Sequence, residues 1–241
     1  MTTLPIRAIT FDFWNTVMFA VDPTGRWRAD AWLDLLAANG HVVDREQVRV
    51  AFQAAWQMHR QSWIDNVQHS GLTFATVAVD ALARDLAPSL RTELVEAFMD
   101  EGDGGQFVPC PGVAEALSGL KARGVRIGIV CDVGITPSVG LRRLLDRHGL
   151  LGFFDGWSFS DEVGRYKPAP EIFEHALVCL DASPAQSAHI GDIRRTDIAG
   201  ARDIGMTSIR YRGINDDLEG DLEANHVIDH HDELLGTLGL G

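Results

Sequence analysis

The chain has little that would let it enter a bilayer, cross-link itself or grip a polyanion. No apolar run approaches the roughly 18 residues of a membrane-spanning helix, so no membrane partner is expected. The opening residues Met-Thr-Thr-Leu-Pro-Ile-Arg show no signal-peptide pattern. Cysteine is scarce: Cys110, Cys131 and Cys179 stand far apart, which excludes a disulfide scaffold and fits a reducing cytoplasm. Basic clusters are missing too. Lys and Arg total 21 against 34 Asp and Glu, a net charge of −13, which excludes a nucleic-acid-binding face. An anionic substrate would therefore need a metal ion or a few placed cations. Internal repeats and low-complexity segments are also absent.

What is present is a globular composition, 46% hydrophobic and 23% charged, with enough apolar residues for a large core. A length of 241 residues allows one large domain, or an ordinary domain carrying a second. The organising stretch is Ile6 to Val17. Its first half is apolar and β-branched and reads as a buried strand ending at Asp12, with the turn formers Asn15 and Thr16 behind it.

From about Trp27 to Glu101 the pattern is helical. Helices are expected at Arg28–Ala38, Asp44–Asn66 with Asp44 as N-cap, Thr73–Leu86 and Ser89–Asp100, which together make an antiparallel bundle. Gly102-Asp103-Gly104-Gly105 reads as a flexible linker. Beyond it strands and helices alternate. Helices are expected from Pro111-Gly112 to Ala122, at Pro137–His148 with Thr136 as N-cap, at Glu171–Leu180, at Thr196–Ile204 and from about Asp232. Strands are expected at Val125–Val130, within Phe153–Phe159, and at Ala188–Gly191, Thr207–Tyr211 and Val227-Ile228. Alternation of this kind implies an α/β fold: a Rossmann-like parallel sheet with helices on both faces. Residues 1–17 and 107–241 then form the core. Residues 18–106 form an inserted four-helix cap over the strand tips, hinged on two linkers as a lid.

Parallel strands bring their C-terminal ends to one edge. Asp12, Cys131, Asp132, Lys167, Asp192 and Asp197 all follow strands, so they are expected to converge there. Several carboxylates with water and a carbonyl make a hard oxygen site suited to Mg²⁺. Lys167 would hold Asp12 ionised. An ionised carboxylate can attack phosphorus, while metal and lysine stabilise the transferring group.

These residues resemble the motifs of the haloacid dehalogenase-like hydrolase superfamily. Asp-x-Asp-Gly-Thr after an apolar strand is matched by Asp12-Phe13-Trp14-Asn15-Thr16. A strand-end Ser or Thr, usually followed by Asn, is matched by Cys131-Asp132. A Lys, often Lys-Pro, is matched by Lys167-Pro168, and Gly-Asp with a downstream Asp by Gly191-Asp192 and Asp197. The resemblance implies that Asp12 is nucleophile and metal ligand, that the carbonyl of Trp14 and the side chains of Asp192 and Asp197 complete the metal site, and that Lys167 holds nucleophile and phosphoryl group. Three positions depart from the pattern. Trp14 replaces the acid that phosphatase members use for proton transfer, Cys131 is a weaker donor than Ser or Thr, and Asp132 adds negative charge.

The expected function is Mg²⁺-dependent phosphatase-type hydrolysis through an aspartyl phosphate at Asp12, acting on a small phosphorylated metabolite. Cys131 and Asp132 join Asp12 and Lys167 as catalytic candidates, with Asp132 facing the crevice as a replacement acid. Trp14, Cys131, Asp132, Lys167 and Arg194 are candidate substrate contacts. Arg26, Arg28, Arg60 and Arg195 are further candidate cations. The helical stripe Phe52, Trp56, His59 and Trp63 is expected to be the bundle's own core; the alternative puts Trp56, His59 or Trp63 on a substrate pocket. His230-His231 reads as a solvent-facing pair. Two other functions remain open. One is a metal-independent 2-haloacid dehalogenase-like hydrolase, favoured by an aromatic residue at position 14. The other is a non-catalytic binding protein on a decayed hydrolase scaffold.

Overall fold

The apolar run Ala8–Phe11 becomes β1, the middle of a six-stranded parallel sheet. The fold is seen in a computed structural model that describes residues 5–22, 24–102 and 105–241. Across the sheet the order is β5 (Gly156–Phe159), β4 (Arg126–Cys131), β1, β6 (Ser187–Gly191), β7 (Thr207–Tyr211) and β8 (His226–Ile228). Phe11 stands level with Ile129 on one side and Ile190 on the other. Asp12 therefore emerges between two neighbouring strand tips, where open parallel sheets form their binding crevice.

Period-two alternation divides the strand side chains between two layers. Ile127, Ile129 and Cys131 join Ile9, Phe11 and Ile209 in a core with α5 (Val113–Ala122) and α6 (Ser138–Arg147). Val130 points the other way, to α8 (Pro170–Cys179) and α9 (Ala199–Asp203). A one-turn helix, α7 (Ser160–Val163), lies between β5 and α8, and α10 (Leu234–Thr237) closes the chain. The parallel sheet with helices on both faces is thus as the sequence predicts.

Between Ala20 and Phe107 the chain forms α1 (Arg26–Ala38), α2 (Arg45–Ile64), α3 (Gly71–Ala81) and α4 (Pro88–Met99). Asp44 caps α2 as expected, with Gln47 completing a capping box. The third helix stops short of Leu86, because Ala83 turns into the left-handed region at φ 50°. The four helices bury Trp32, Leu36, Phe74, Leu94 and Phe98 in a core of their own.

The connections differ most from expectation. They are not slack. β2 (Met18–Ala20) pairs antiparallel with β3 (Phe107–Pro109), flanked by Val21 N–H to the Gln106 carbonyl (2.9 Å) and Cys110 N–H to the Val17 carbonyl (2.9 Å). Three-residue strands show no readable alternation in sequence. Of the predicted flexible linker, Asp103 and Gly104 lie outside the described residues. Beside it, buried Glu101 accepts two hydrogen bonds from Arg143 (2.7 Å each) and one from Arg147 (3.0 Å), tying the end of α4 to α6. The α6 N-cap is Pro137, not Thr136. Thr136 instead accepts a hydrogen bond from Arg28, and the carboxylate of Asp161 receives the Ser138 N–H at the helix start.

His231 is another correction. It is buried, stacked on Tyr211 at 4.3 Å, and donates from Nε2 to the Thr16 carbonyl (2.8 Å), while His230 stays exposed. Burial pushes its pKa down to about 4 from an ordinary 6.5, so the folded state keeps it neutral. The unfolded chain takes up a proton first as pH falls. Stability from this group is complete above about 6.5, declines as pH drops toward about 4, and is level below. Denaturant titrations across that window should show the unfolding free energy falling. In His231→Gln, which keeps a donor for Thr16, the slope should be shallower by up to about 1.4 kcal/mol per pH unit.

Candidate active site

Four chain segments meet at the tip of β1. Asp12 follows β1, Asp132 follows β4, Lys167 lies in the loop after α7, and Asp192 and Asp197 follow β6. The Lys167 side chain is 2% exposed. Its ammonium donates to Asp12 Oδ1 (2.5 Å), Asp197 Oδ1 (2.6 Å) and the Val130 carbonyl (3.2 Å), so one group ties three neighbouring strand ends together. Asp197 is fixed from two further directions, by the Ile193 N–H (3.0 Å) and by His189 Nε2 (3.1 Å). His189 Nδ1 in turn meets the Thr10 hydroxyl (2.8 Å). Sequence reading missed His189, since a histidine inside an apolar strand carries no pattern of its own.

Backbone geometry makes the approach possible. A Cβ on Gly191 would lie 2.3 Å from the Asp197 carboxyl carbon, so only glycine lets Asp197 rest against the end of β6. Asp197 rides on a π-helical turn, Arg194–Ile198, where a plain helix from Thr196 was expected. Asn15 turns the chain behind Asp12 at φ 58°, a left-handed conformation that Asn tolerates better than most side chains.

The electrostatics are unbalanced. Burial opposes the charge on Lys167, but Asp12 and Asp197 hold its pKa well above the usual lysine range. Burial disfavours the ionised form of Asp197 as well; there Lys167 and His189 win and keep it well below the usual carboxylate range. Asp12 and Asp192 go the other way. Burial raises Asp12, with Asp197 and Asp192 adding to the effect against Lys167. Burial and Asp197 push Asp192 up to about 7, although Asn215 donates to it at 2.7 Å. Asp12, Asp192 and Asp197 each offer an oxygen within 4.8 Å of the others. Three buried carboxylates thus share one ammonium. That oxygen-rich, charge-deficient set fits a hard divalent cation such as Mg²⁺.

A cavity of about 210 Å³ opens over these groups, walled by Asp12, Trp14, His59, Trp63, Asp132 and Lys167 among others. Asp132 lines it as anticipated. Its two oxygens accept from the Trp63 indole (2.7 Å) and the Lys167 N–H (2.8 Å), and burial raises its pKa. The aromatic stripe of α2 divides between the bundle and the crevice. Phe52 packs edge-on against Trp32 and Phe98 of the bundle core, beside buried Val48, Ala51 and Ala55, whereas His59 and Trp63 face this cavity and Trp56 is 51% exposed.

Two other candidates sit elsewhere. Cys131 is fully buried on the α5–α6 face of the sheet, where burial keeps the thiol protonated, and it lines neither this cavity nor its larger neighbour. Arg194 turns away to Glu223 (3.0 Å) and the Gly220 carbonyl (2.8 Å). Arg26 and Arg60 are exposed, and Arg195 stacks over Trp63 at 3.8 Å. Arg28 is spent on the carbonyls of Phe98 and Asp100 and on the Thr136 hydroxyl.

A sequence model described as haloacid dehalogenase-like hydrolase matches residues 6–205, a stretch that holds all four motifs. The chain belongs to the haloacid dehalogenase-like hydrolases. It is 30% identical to a ribulose-1,5-bisphosphate 5-phosphatase of Halopiger xanaduensis, over 85% of this chain and 84% of that one. Its fold is similar to a HAD phosphatase of Thermococcus onnurineus (TM-score 0.71, 23% identity, 97% and 98% of the two chains). It is as similar to a 2-haloacid dehalogenase of Pseudomonas syringae pv. Tomato DC3000 (TM-score 0.73, 23% identity, 97% and 98%). These two likenesses show the fold alone and do not choose between carbon and phosphorus as the atom attacked.

Within this haloacid dehalogenase-like hydrolase, Lys167 should be the side chain the site can least spare. Lys167→Met removes the charge but keeps an unbranched stem, leaving Asp12 and Asp197 buried without a cation. The expected loss is about 3–5 kcal/mol in denaturant unfolding, together with loss of hydrolytic activity.

Proposed function

We propose that this hydrolase is a phosphohydrolase of small phosphorylated metabolites, working through Asp12 with Mg²⁺ held by the side chains of Asp12, Asp192 and Asp197 and the carbonyl of Trp14. The observation that carries the reading is the charge deficit: three buried carboxylates around one ammonium. Attack on a haloalkane carbon needs no metal. A dianionic phosphoryl group next to three carboxylates does. When bound, the cation would offset the charge on the phosphoryl oxygens.

The chain's own groups supply the rest. Asp12 attacks phosphorus as the carboxylate, the form that Lys167 favours against burial and its acidic neighbours, and the ester oxygen leaves with the bond electrons. Water then cleaves the aspartyl phosphate, returning Asp12 and releasing phosphate. Lys167 stays fixed on Asp12 and Asp197, and the N–H that now meets the Val130 carbonyl is the one it can turn to a phosphoryl oxygen. Trp14 has no proton to give, so the leaving group must be able to depart as an anion. Asp132, a carboxyl group on the wall of the cavity, is the residue we assign to proton transfer with water.

Residues 18–106 would serve as the cap and 1–17 with 107–241 as the catalytic core. Four contacts support a closed arrangement: Trp63 to Asp132, Asn66 to the Tyr166 N–H (3.0 Å) and carbonyl (2.9 Å), Arg28 to Thr136, and Arg195 on Trp63. Among the described residues no helix is long and apolar enough to cross a membrane, and all three cysteines are free. Both facts suit work in the cytoplasm.

The reading is tested by turnover of phosphoesters of graded leaving-group acidity, with and without Mg²⁺. Rates should need Mg²⁺ and fall steeply from acyl and aryl to alkyl phosphates. Trp14→Asp should raise the rate on alkyl phosphates by about 10²-fold or more. Metal-independent halide release from a 2-haloacid, with no phosphate release, would establish dehalogenation instead.

A further inference from the structure

Next to the carboxylate cavity lies a larger one of about 340 Å³, and the two share Trp14, His59 and Asp132 as walls. A ligand with its phosphoryl group over Asp12 would extend past Trp14 into this space. The volume lies at the small end of the roughly 300–1,000 Å³ typical of ligand pockets.

Its walls are aromatic: Trp14, Trp27, Phe52, Trp56, Phe98 and Phe107. They are also mutually braced. Trp14 packs on Phe107 at 5.1 Å and Phe52 on Phe98 at 4.8 Å between ring centroids. The charged groups on the wall are Asp22, Arg28 and Asp132. Asp22 accepts from the Thr24 N–H (2.9 Å) and hydroxyl (2.6 Å), and Asp132 from Trp63 and Lys167. Arg28 sits 4.1 Å from the Trp27 ring centroid, with its Nε and Nη2 already donating to Phe98, Asp100 and Thr136. Two carboxylates against one engaged guanidinium would repel a second phosphate or a carboxylate. An uncharged aromatic ring instead gains apolar burial and edge-to-face contacts.

We propose that this cavity receives the leaving group and that the substrates are aryl phosphate monoesters. The inference rests on the phosphohydrolase reading above, and it adds the substrate class. A phenolate also meets the demand made by Trp14. The P–O(aryl) bond breaks as the bond from Asp12 to phosphorus forms, the electron pair leaves on the phenolate oxygen, and that oxygen takes its proton from solvent. Water then releases phosphate from Asp12.

The experiment compares kcat/KM, with Mg²⁺, for 1-naphthyl phosphate, a fluoroalkyl phosphate of matched leaving-group acidity, and acetyl phosphate. The naphthyl ester should exceed the matched fluoroalkyl ester by roughly tenfold or more. Trp56→Ala, at a half-exposed position, should lower naphthyl turnover several-fold more than acetyl phosphate turnover. Hydrolysis of acetyl phosphate with equal rates on the matched pair overturns the aryl inference and leaves the phosphohydrolase reading intact. No hydrolysis of any of the three overturns both.

Discussion

The ammonium of Lys167 is the group on which the crevice depends. It sits in a place no charge would occupy alone, and it is kept there by Asp12, Asp197 and a strand-end carbonyl. Each partner comes from a different strand, so the ion pair is also the clasp that holds the tips of β1, β4 and β6 in register. Removing water from such a pair is costly, and the return lies in a carboxylate whose position is fixed before any ligand arrives. His189 and Gly191 serve the same end from behind, one by orienting Asp197 and the other by leaving room for it.

Above this clasp the helical insertion is seated by polar contacts at its lower edge and by Ile135, which reaches into its apolar core. Trp63 reaches Asp132, Asn66 brackets Tyr166, Arg28 reaches Thr136, and Glu101 takes the two arginines of α6. The paired strands β2 and β3 limit the way the insertion can move relative to the sheet. Between the two layers remain two cavities that meet at Trp14, His59 and Asp132. Trp14 is thus both a wall of the carboxylate site and the entrance to the aromatic one.

Much of this was legible in the sequence because its causes are local or periodic. Apolar runs ending in Asp12, Cys131 and Gly191-Asp192 specified the strands, and parallel topology alone required their tips to meet. What stayed hidden depends on the third dimension. The strands β2 and β3 are too short for alternation to register. The face on which Cys131 falls follows from its parity with Ile127 and Ile129, which places it in the α5–α6 core. Arg194 looked available until Glu223, distant in sequence, was found beside it. The stripe of α2 has helical spacing whether it packs on its own bundle or faces a crevice. In the structure it does both, with Phe52 turned to the bundle and His59 and Trp63 to the crevice.

The central claim is that Asp12 carries the phosphoryl group. Acid quenching during Mg²⁺-dependent turnover of acetyl phosphate, followed by mass spectrometry of the intact chain and its peptides, tests it most directly. The account predicts a single phosphoryl adduct on the peptide containing Asp12, absent in Asp12→Asn. Turnover at full rate with no adduct at any quench time, or an alkyl ester on Asp12 after incubation with a 2-haloacid, would contradict it.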